Sequence, residues 1–542
     1  MASVTFYLKE FERNGFDINF LKETLPKIGV EVEKITKDQI NVEITPNRPD
    51  LLDQYGVIRA LQFFSNKKAP EDNYQISGES HFVIETTKEV RKIRPFIGGI
   101  VIKEVKLNDQ KLTDVINFSE KLSSTYGRRR KKLAIGMHDL NKVKGGRLRY
   151  DAGKNEKFIP LGHSKEMTLY EALTESNKGA EFASVIPDAG KKGIPFLSDE
   201  EKILSMIPII NSEATRVTER TDSLLIDVTG TSRVAVSYAI NMLACSFIDM
   251  GAKIYSCKIK NNGREETTPE FSKEKIKISC NMIKKIIGIK VIPDEASKLS
   301  AKMGYIASKQ ANGIIVIPPP YRTDIFNAQD VVEDIGIAYG YDKIKQEKVP
   351  SLIDGCFDSH IERQNRIALA MIGLGFMEAV NSKLTNEKLN FDMLNRKYDN
   401  KSIVTIAESK TEAITMLRTD LLPQLLQNLS DSSSETMPQR FFEIGEVFSI
   451  EGEEPKVATR LAFVAEHSKA NFSEIKSVVE AVLEQMNKKA KIEEEEDNAF
   501  IKGRTASIVD GLKKIGVFGE IHPEVLSNMH IEEPVIAAEI QF

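Results

Sequence analysis

Two polar interruptions, over residues 65–73 and 260–270, divide a chain of 542 residues, and division is what that length demands. A single hydrophobic core stops growing at roughly 250–300 residues, so about three to five domains are expected. Apolar residues make up 41% of the chain and charged residues 28%, and no apolar run approaches the roughly 18 residues that a membrane span requires. A helical membrane protein is therefore set aside. The opening residues Met1-Ala2-Ser3-Val4 carry no basic flank followed by an apolar stretch, so no signal peptide is expected. Cys245, Cys257, Cys280 and Cys356 are scattered without a paired spacing, which argues against a zinc site or a disulfide framework and for a reducing, cytoplasmic setting. With a net charge of -4, any contact with nucleic acid has to be local rather than a matter of bulk charge.

Within this frame the periodicities are uneven. Phe16 to Ile28 is apolar at helical spacing, and Ile40 to Ile44 alternates as a half-buried strand does. Thr45-Pro46-Asn47-Arg48-Pro49-Asp50 follows as a stiff turn; Arg48 is expected to brace it, and Asp50 to cap the next helix. Strands are expected near Ile97–Lys103, Leu133–Met137 and Leu224–Val228. Pro208 to Glu213 and Ile226 to Thr231 each lead from an apolar stretch into hydroxyl, amide and acid groups. That is how a strand delivers side chains to a pocket mouth, although Ser212, Asp227 and Thr229 could equally bond turn backbones. Arg128-Arg129-Arg130-Lys131-Lys132 is a run of five cations that suits phosphate or plain solvation alike. His138 beside it reads as structural.

Between Tyr321 and Ile344 lie Asp324, Asp330, Glu333 and Asp334. The last three fall at i, i+3 and i+4, a spacing that stacks them on one side of a helix, and Asp324 could close the cluster from the preceding loop. Oxygen donors of this kind suit magnesium, which keeps several waters and takes one or two protein carboxylates. Asn327 as an N-cap with Asp330 three residues on gives the same acids a second use, at the positive end of a helix.

The chain resembles the beta subunit of phenylalanyl-tRNA synthetase in its shorter, archaeal and eukaryotic form. The likeness rests on six stretches in order: Ile44 to Asp50 with Gly56 to Arg59; Ala134 to Asp139; Pro208 to Ser212; Ile226 to Gly230; Tyr321 to Ile325; and Arg440 to Gly445. The resemblance implies an α/β and α+β multidomain chain. Residues 1–75 would form an N-terminal α+β domain and 80–262 a large tRNA-editing domain. Residues 270–346 would be a small helix–strand magnesium-binding module, and 347–542 a degenerate, noncatalytic class II synthetase-like domain on an antiparallel sheet.

It implies further that Asp324, Asp330, Glu333 and Asp334 hold Mg2+ near a contact with the alpha subunit. Asn211, Ser212, Asp227 and Thr229 match the editing-pocket segments, where tyrosine wrongly joined to tRNA(Phe) is hydrolysed. Ile515 to Pro523 lacks the arginine that active class II sites set against ATP, so aminoacylation is expected on the alpha subunit, with no catalytic residue for it in this chain. Arg418 and Arg440 are then fold or interface residues. The implied partners are the alpha subunit, in a tetramer of two alpha and two beta chains, and tRNA(Phe), with ATP as the complex's substrate and no membrane. Two other readings stand beside this one, a nucleic-acid-binding scaffold without editing activity and a solitary deacylase.

Overall fold

The computed structural model describes residues 2–71, 74–186, 192–261, 263–271, 274–348, 355–409 and 411–542; the expected first linker thus ends, at 72–73, outside the described residues. The chain forms two compact units, 1–348 and 349–542.

The first unit opens with a three-stranded antiparallel sheet whose central strand, Gln39–Ile44, lies between Ala2–Tyr7 and Val30–Ile35. Ile40, Val42 and Ile44 are buried in alternation, as the period of two requires. The helical stretch begins at Asp17, whose carboxylate accepts from the Phe20 N–H at 2.8 Å. Its α-helix spans Ile18–Thr24 and ends just ahead of Pro26, where a short turn takes over. At the stiff turn, Arg48 pairs with Asp50 as a brace, its Nε 2.9 Å from Oδ1. Asp50 does not cap the following helix; Asp53 does, accepting from the Gly56 N–H at the start of Gln54–Phe64.

Packed on this layer is a ten-stranded sheet. Its main order runs Ile210–Asn211, Ile203–Met206, Ile194–Ser198, Arg147–Gly153, Gly78–Thr86, Lys253–Asn261, Phe96–Lys103, Leu224–Gly230 and Leu133–Asp139. Gly78–Thr86 pairs in parallel with both neighbours, while the other described pairs are antiparallel. The helix Arg233–Asp249 covers one face with Val236, Ala239, Ile240 and Leu243 against Ile226 and Val228, each large side chain contributing about 1.5–3 kcal/mol by leaving water. The same core takes in Phe6, Phe11 and Leu61 of the N-terminal segment.

The expected linker over 260–270 is instead the end of a hairpin. Lys253–Asn261 pairs with Arg264–Thr268, Lys260 opposite Glu265 with Nζ and Oε1 3.5 Å apart. Its polar residues belong to a solvated edge strand, which composition alone does not separate from a loop.

A third layer consists of a small sheet, Ile276–Ser279, Gly313–Ile317 and Ile306–Gln310, under the helices Cys280–Ile287, Pro293–Lys302 and Ala328–Tyr339. In the second unit a seven-stranded sheet is antiparallel except where Met377–Glu378 meets Gln439–Glu451. Ser359–Gly373 and Phe472–Gln485 pack with Phe463 and Phe518 in one core, and Leu422–Asp431 packs with Val464 and Ala537 in another.

Candidate functional site

The ends of the ten-stranded sheet come together. Asn211, on the first strand of the order, donates its side-chain N–H to the Met137 carbonyl on the last, at 3.1 Å. A cavity of about 260 Å3 opens at this closure, and Asn211, Ser212, Asp227 and Thr229 all line it. Its walls are largely apolar, among them Val115, Met137, Ile207 and Ile209.

Asp227 sits on a strand buried along its whole length, directly opposite Gly136. A Cβ at position 136 would come within 2.3 Å of Asp227 Oδ1, so glycine is what leaves space for the carboxylate. On the same face, two residues further along the neighbouring strand, His138 places Nε2 3.0 Å from that oxygen. His138 is fully buried, and its Nδ1 lies 2.9 Å from Thr215 Oγ1. The imidazole bridges the Thr215 hydroxyl and the Asp227 carboxylate through its two ring nitrogens. The result is a hydrogen-bonded chain from threonine through imidazole to the carboxylate.

Thr229 is held differently. Arg94, itself buried, donates Nε–H to its hydroxyl at 3.0 Å and a terminal N–H to its carbonyl at 2.8 Å. Burial lowers the Arg94 guanidinium to about 10, against the upward pull of Tyr150 and Asp227. With Arg94 donating, the Thr229 hydroxyl keeps its own proton for another acceptor. Arg130 lines the cavity too, reaching the Pro208 and Ile209 carbonyls at 3.1 and 2.8 Å and the Glu120 carboxylate at 2.7 Å.

For Ser212 the turn-bonding reading applies, since its Oγ accepts from the Ala214 N–H and donates to the Ile159 carbonyl, both at 3.3 Å. Asp227 and Thr229 have side-chain partners instead. Sequence reasoning passed over Arg94, read His138 as structural, and read the run containing Arg130 as phosphate contact or solvation. Only the cation run hinted at Arg130, and nothing local marks Arg94.

The acidic segment is organised around an arginine. Arg322 clasps Asp324 with Nε and a terminal nitrogen, each 2.8 Å from a carboxylate oxygen, and its other terminal nitrogen lies 2.7 Å from Asp334 Oδ2. Tyr305 donates its hydroxyl to the same Asp334 oxygen at 2.5 Å. Burial alone would lower the Arg322 guanidinium, yet Asp334, Tyr305 and Asp324 hold it well above its ordinary value. Asp330 completes the capping box of the helix, Oδ2 accepting from the Phe326 and Asn327 N–H groups at 2.7 and 2.9 Å.

The expected single face is thus split, with Asp334 buried, Asp330 half-buried and Glu333 exposed. Among the described residues no three acidic, histidine or cysteine side chains converge as a ready metal cage. All four acids nevertheless border one open cavity of about 1100 Å3. Asp330 and Glu333, which Arg322 does not hold, fit the one or two carboxylates that magnesium takes alongside water.

Comparison with known proteins covers most of the chain. Residues 351–542 match the phenylalanyl tRNA synthetase beta chain CLM domain, 276–341 the tRNA synthetase B5 domain, and 80–246 the B3/4 domain. The phenylalanine–tRNA ligase beta subunit of Archaeoglobus fulgidus is 38% identical over 545 aligned residues, covering 100% of this chain and 98% of the relative. The beta subunit of Methanococcoides burtonii is 34% identical, with 97% and 96% covered. An N-terminal fragment of the phenylalanyl-tRNA synthetase beta subunit from Pyrococcus horikoshii superimposes with a TM-score of 0.60 at 31% identity, over 62% of this chain and 99% of the fragment.

Proposed function

Since this chain belongs to the phenylalanine–tRNA ligase beta-subunit family, we propose that it supports ATP-dependent charging of tRNA(Phe) by an alpha subunit and hydrolyses tyrosine mistakenly joined to that tRNA. The observation that carries the hydrolytic half is the cavity at the sheet closure, apolar in its walls and furnished with Asp227 and Thr229. An aromatic ring suits the walls, and a phenolic hydroxyl suits a carboxylate that accepts and a threonine that donates. Phenylalanine offers neither group a hydroxyl, so their remaining hydrogen-bonding capacity goes unused. Sites built to bond a hydroxyl reject the analogue lacking it by about 10^4–10^5, whereas an apolar pocket rejects an added hydroxyl only about 10^2-fold. Placing the hydroxyl-reading site after the synthetic one therefore raises accuracy. Asn211 and Ser212 shape the rim, His138 orients Asp227, and water attacks the ester.

The second unit supports a noncatalytic role in synthesis. Where a nucleotide site would need free cations, Arg418 is 2.6 Å from Glu443, and Arg460 bridges Asp420 and Glu539 at 2.7 and 2.9 Å. Leu369, Ile372, Met377 and Val380 are exposed on this unit, apolar surface suited to a partner subunit in the tetramer of two alpha and two beta chains. At the acidic segment Asp330 and Glu333 would offer oxygens to a magnesium ion, Asp324 and Asp334 joining only as far as Arg322 released them, and the bound ion would supply positive charge that braces the alpha-subunit contact. No helix among the described residues is long and apolar enough to cross a membrane, and a cytoplasmic setting fits the four free cysteines.

The test is deacylation of tyrosyl-tRNA(Phe) by the alpha–beta complex. Asp227→Ala and Thr229→Ala should each slow hydrolysis by about 10^2-fold or more with charging intact. Unchanged hydrolysis in both would remove this cavity from the reaction, and phenylalanine activation by the isolated chain would overturn the noncatalytic reading.

A further inference from the structure

The cation run at 128–132 has a backbone that ordinary loops avoid. Arg128, Arg129 and Arg130 follow one another in the left-handed region, with φ of 50°, 51° and 65°, a conformation disfavoured for any side chain larger than glycine. It is locked by the end of the helix Asp109–Ser124: the Arg128, Arg129 and Arg130 N–H groups donate to the Thr125, Ser124 and Ser123 carbonyls at 2.8–2.9 Å. Lys132 closes the turn onto the Gly127 carbonyl at 2.8 Å. Only one of the five side chains turns fully inward. Arg130 is buried against the cavity wall, its guanidinium 4.2 Å from the Phe182 ring centre, whereas Arg128, Arg129 and Lys131 are exposed.

Those three cations have no carboxylate within 4.0 Å among the described residues, although the chain has a net charge of -4 and pairs Arg216 with Glu213 and Arg460 with Asp420 elsewhere. Their crowding is felt next door, where burial and then the Arg128 charge lower the Lys132 ammonium. The turn is also the direct link between the helix and the strand Leu133–Asp139, both of which line the cavity through residues such as Glu120 and Gly136. A strained, rigid and unneutralised set of charges at this place is arranged for a polyanion that approaches the cavity.

We propose that Arg128, Arg129 and Lys131 grip the phosphates of the aminoacylated RNA strand whose ester end enters the cavity. The proposal rests on the hydrolytic reading for its purpose but not for its measurement. Arg130 anchors the turn to the wall that the ester meets, so charge and pocket keep a fixed spacing.

The test uses the alpha–beta complex carrying Arg128→Asn, Arg129→Asn and Lys131→Gln together, asparagine being tolerant of left-handed backbone. With tyrosyl-tRNA at about 100 mM salt, KM should rise about tenfold or more with kcat held. The log–log salt dependence of tRNA binding should flatten by about 2, as expected for three lost phosphate contacts on a single strand. Hydrolysis of 3'-O-tyrosyl-adenosine, which has no phosphate, should be unchanged, and Arg128→Lys with Arg129→Lys should restore tRNA affinity. Equal KM and equal salt slope in the triple variant overturn the proposal. Were the parent complex to hydrolyse neither ester, the hydrolytic reading would fall, while the salt slope of equilibrium tRNA binding would still decide this one.

Discussion

Replacing Gly136 with alanine is the smallest change that should disable the cavity without touching a polar group. The added Cβ would stand 2.3 Å from Asp227 Oδ1 and 3.0 Å from its Cγ, roughly 1 Å inside ordinary contact. Asp227 has only two side-chain torsions to move its carboxylate, and both neighbouring strands hold its backbone by the ladder. It must therefore swing off His138, breaking a 3.0 Å contact between fully buried groups. Leaving a buried carboxylate without its hydrogen bond costs about 3 kcal/mol, which corresponds to a midpoint fall of roughly 6 °C or more in a domain of 150–250 residues. Calorimetry is the suitable measurement because two units need not melt together, with tyrosyl-tRNA hydrolysis followed on the same samples. A double-mutant cycle isolates the cause. In an Asp227→Ala background the carboxylate is gone, so Gly136→Ala should then cost less than about 1 kcal/mol, giving a coupling of about 2 kcal/mol. Additive effects within about 0.5 kcal/mol, or an unaltered hydrolysis rate in Gly136→Ala alone, would refute the steric account.

Asp53 is raised from 3.8 to about 6 by burial, against the Ser246 hydroxyl that favours its charged form. Its folded value lies above its unfolded one, so the stabilisation is present below about pH 4 and is lost as pH rises through 6, about 3 kcal/mol in all. Asp53→Asn, which can still cap the helix, should flatten the melting temperature of the first unit between pH 4 and 7; an unchanged profile would assign the dependence to other groups. Arg418→Ala should destabilise the second unit by about 3–5 kcal/mol by leaving Glu443 buried and unpaired, and Arg418→Met with Glu443→Leu should recover most of that in thermal denaturation. Recovery absent from the double variant would mean the pair is held for its other hydrogen bonds. Magnesium should raise the melting temperature of the first unit by mass action, and Asp330→Asn with Glu333→Gln should abolish the rise, whereas a persisting rise would place the ion away from this segment.

How much of this was legible beforehand depended on which physical signal each part left in the chain. Gly313–Ile317 is a continuous apolar run and Leu224–Gly230 opens with one, Leu224-Leu225-Ile226, and both read as strands at once. Arg264–Thr268 is polar at every position because it lies at an exposed edge, and it read as a linker. At the cavity, Asp227 and Thr229 stood out because polar residues inside a buried strand require a reason. Arg94 did not, since its partner Thr229 is 135 positions away. Long-range partners of single arginines leave no local pattern, and sheet closure, which brings Asn211 to Met137, leaves none either.

The acidic segment differs, because its local signal was present but the partners of its carboxylates were not legible. Spacing at i, i+3 and i+4 states which side chains share a face, but whether a carboxylate there is free depends on the cations nearest to it. Arg322 stands two residues before Asp324 and clasps it through Nε and a terminal nitrogen, each 2.8 Å from an oxygen. The turn at 48–50 repeats this fork, Arg48 clasping Asp50 at 2.9 and 2.9 Å. An arginine and an aspartate flanking one intervening residue, Pro49 in one case and Thr323 in the other, thus form the same bidentate pair twice, both beside the larger cavity. Asp50 was taken for a helix cap and Asp324 for a metal ligand, and in both positions the arginine already had the carboxylate. The acids left to a cation are those without such a neighbour, which is why Asp330 and Glu333, rather than the pair held by Arg322, carry the magnesium prediction.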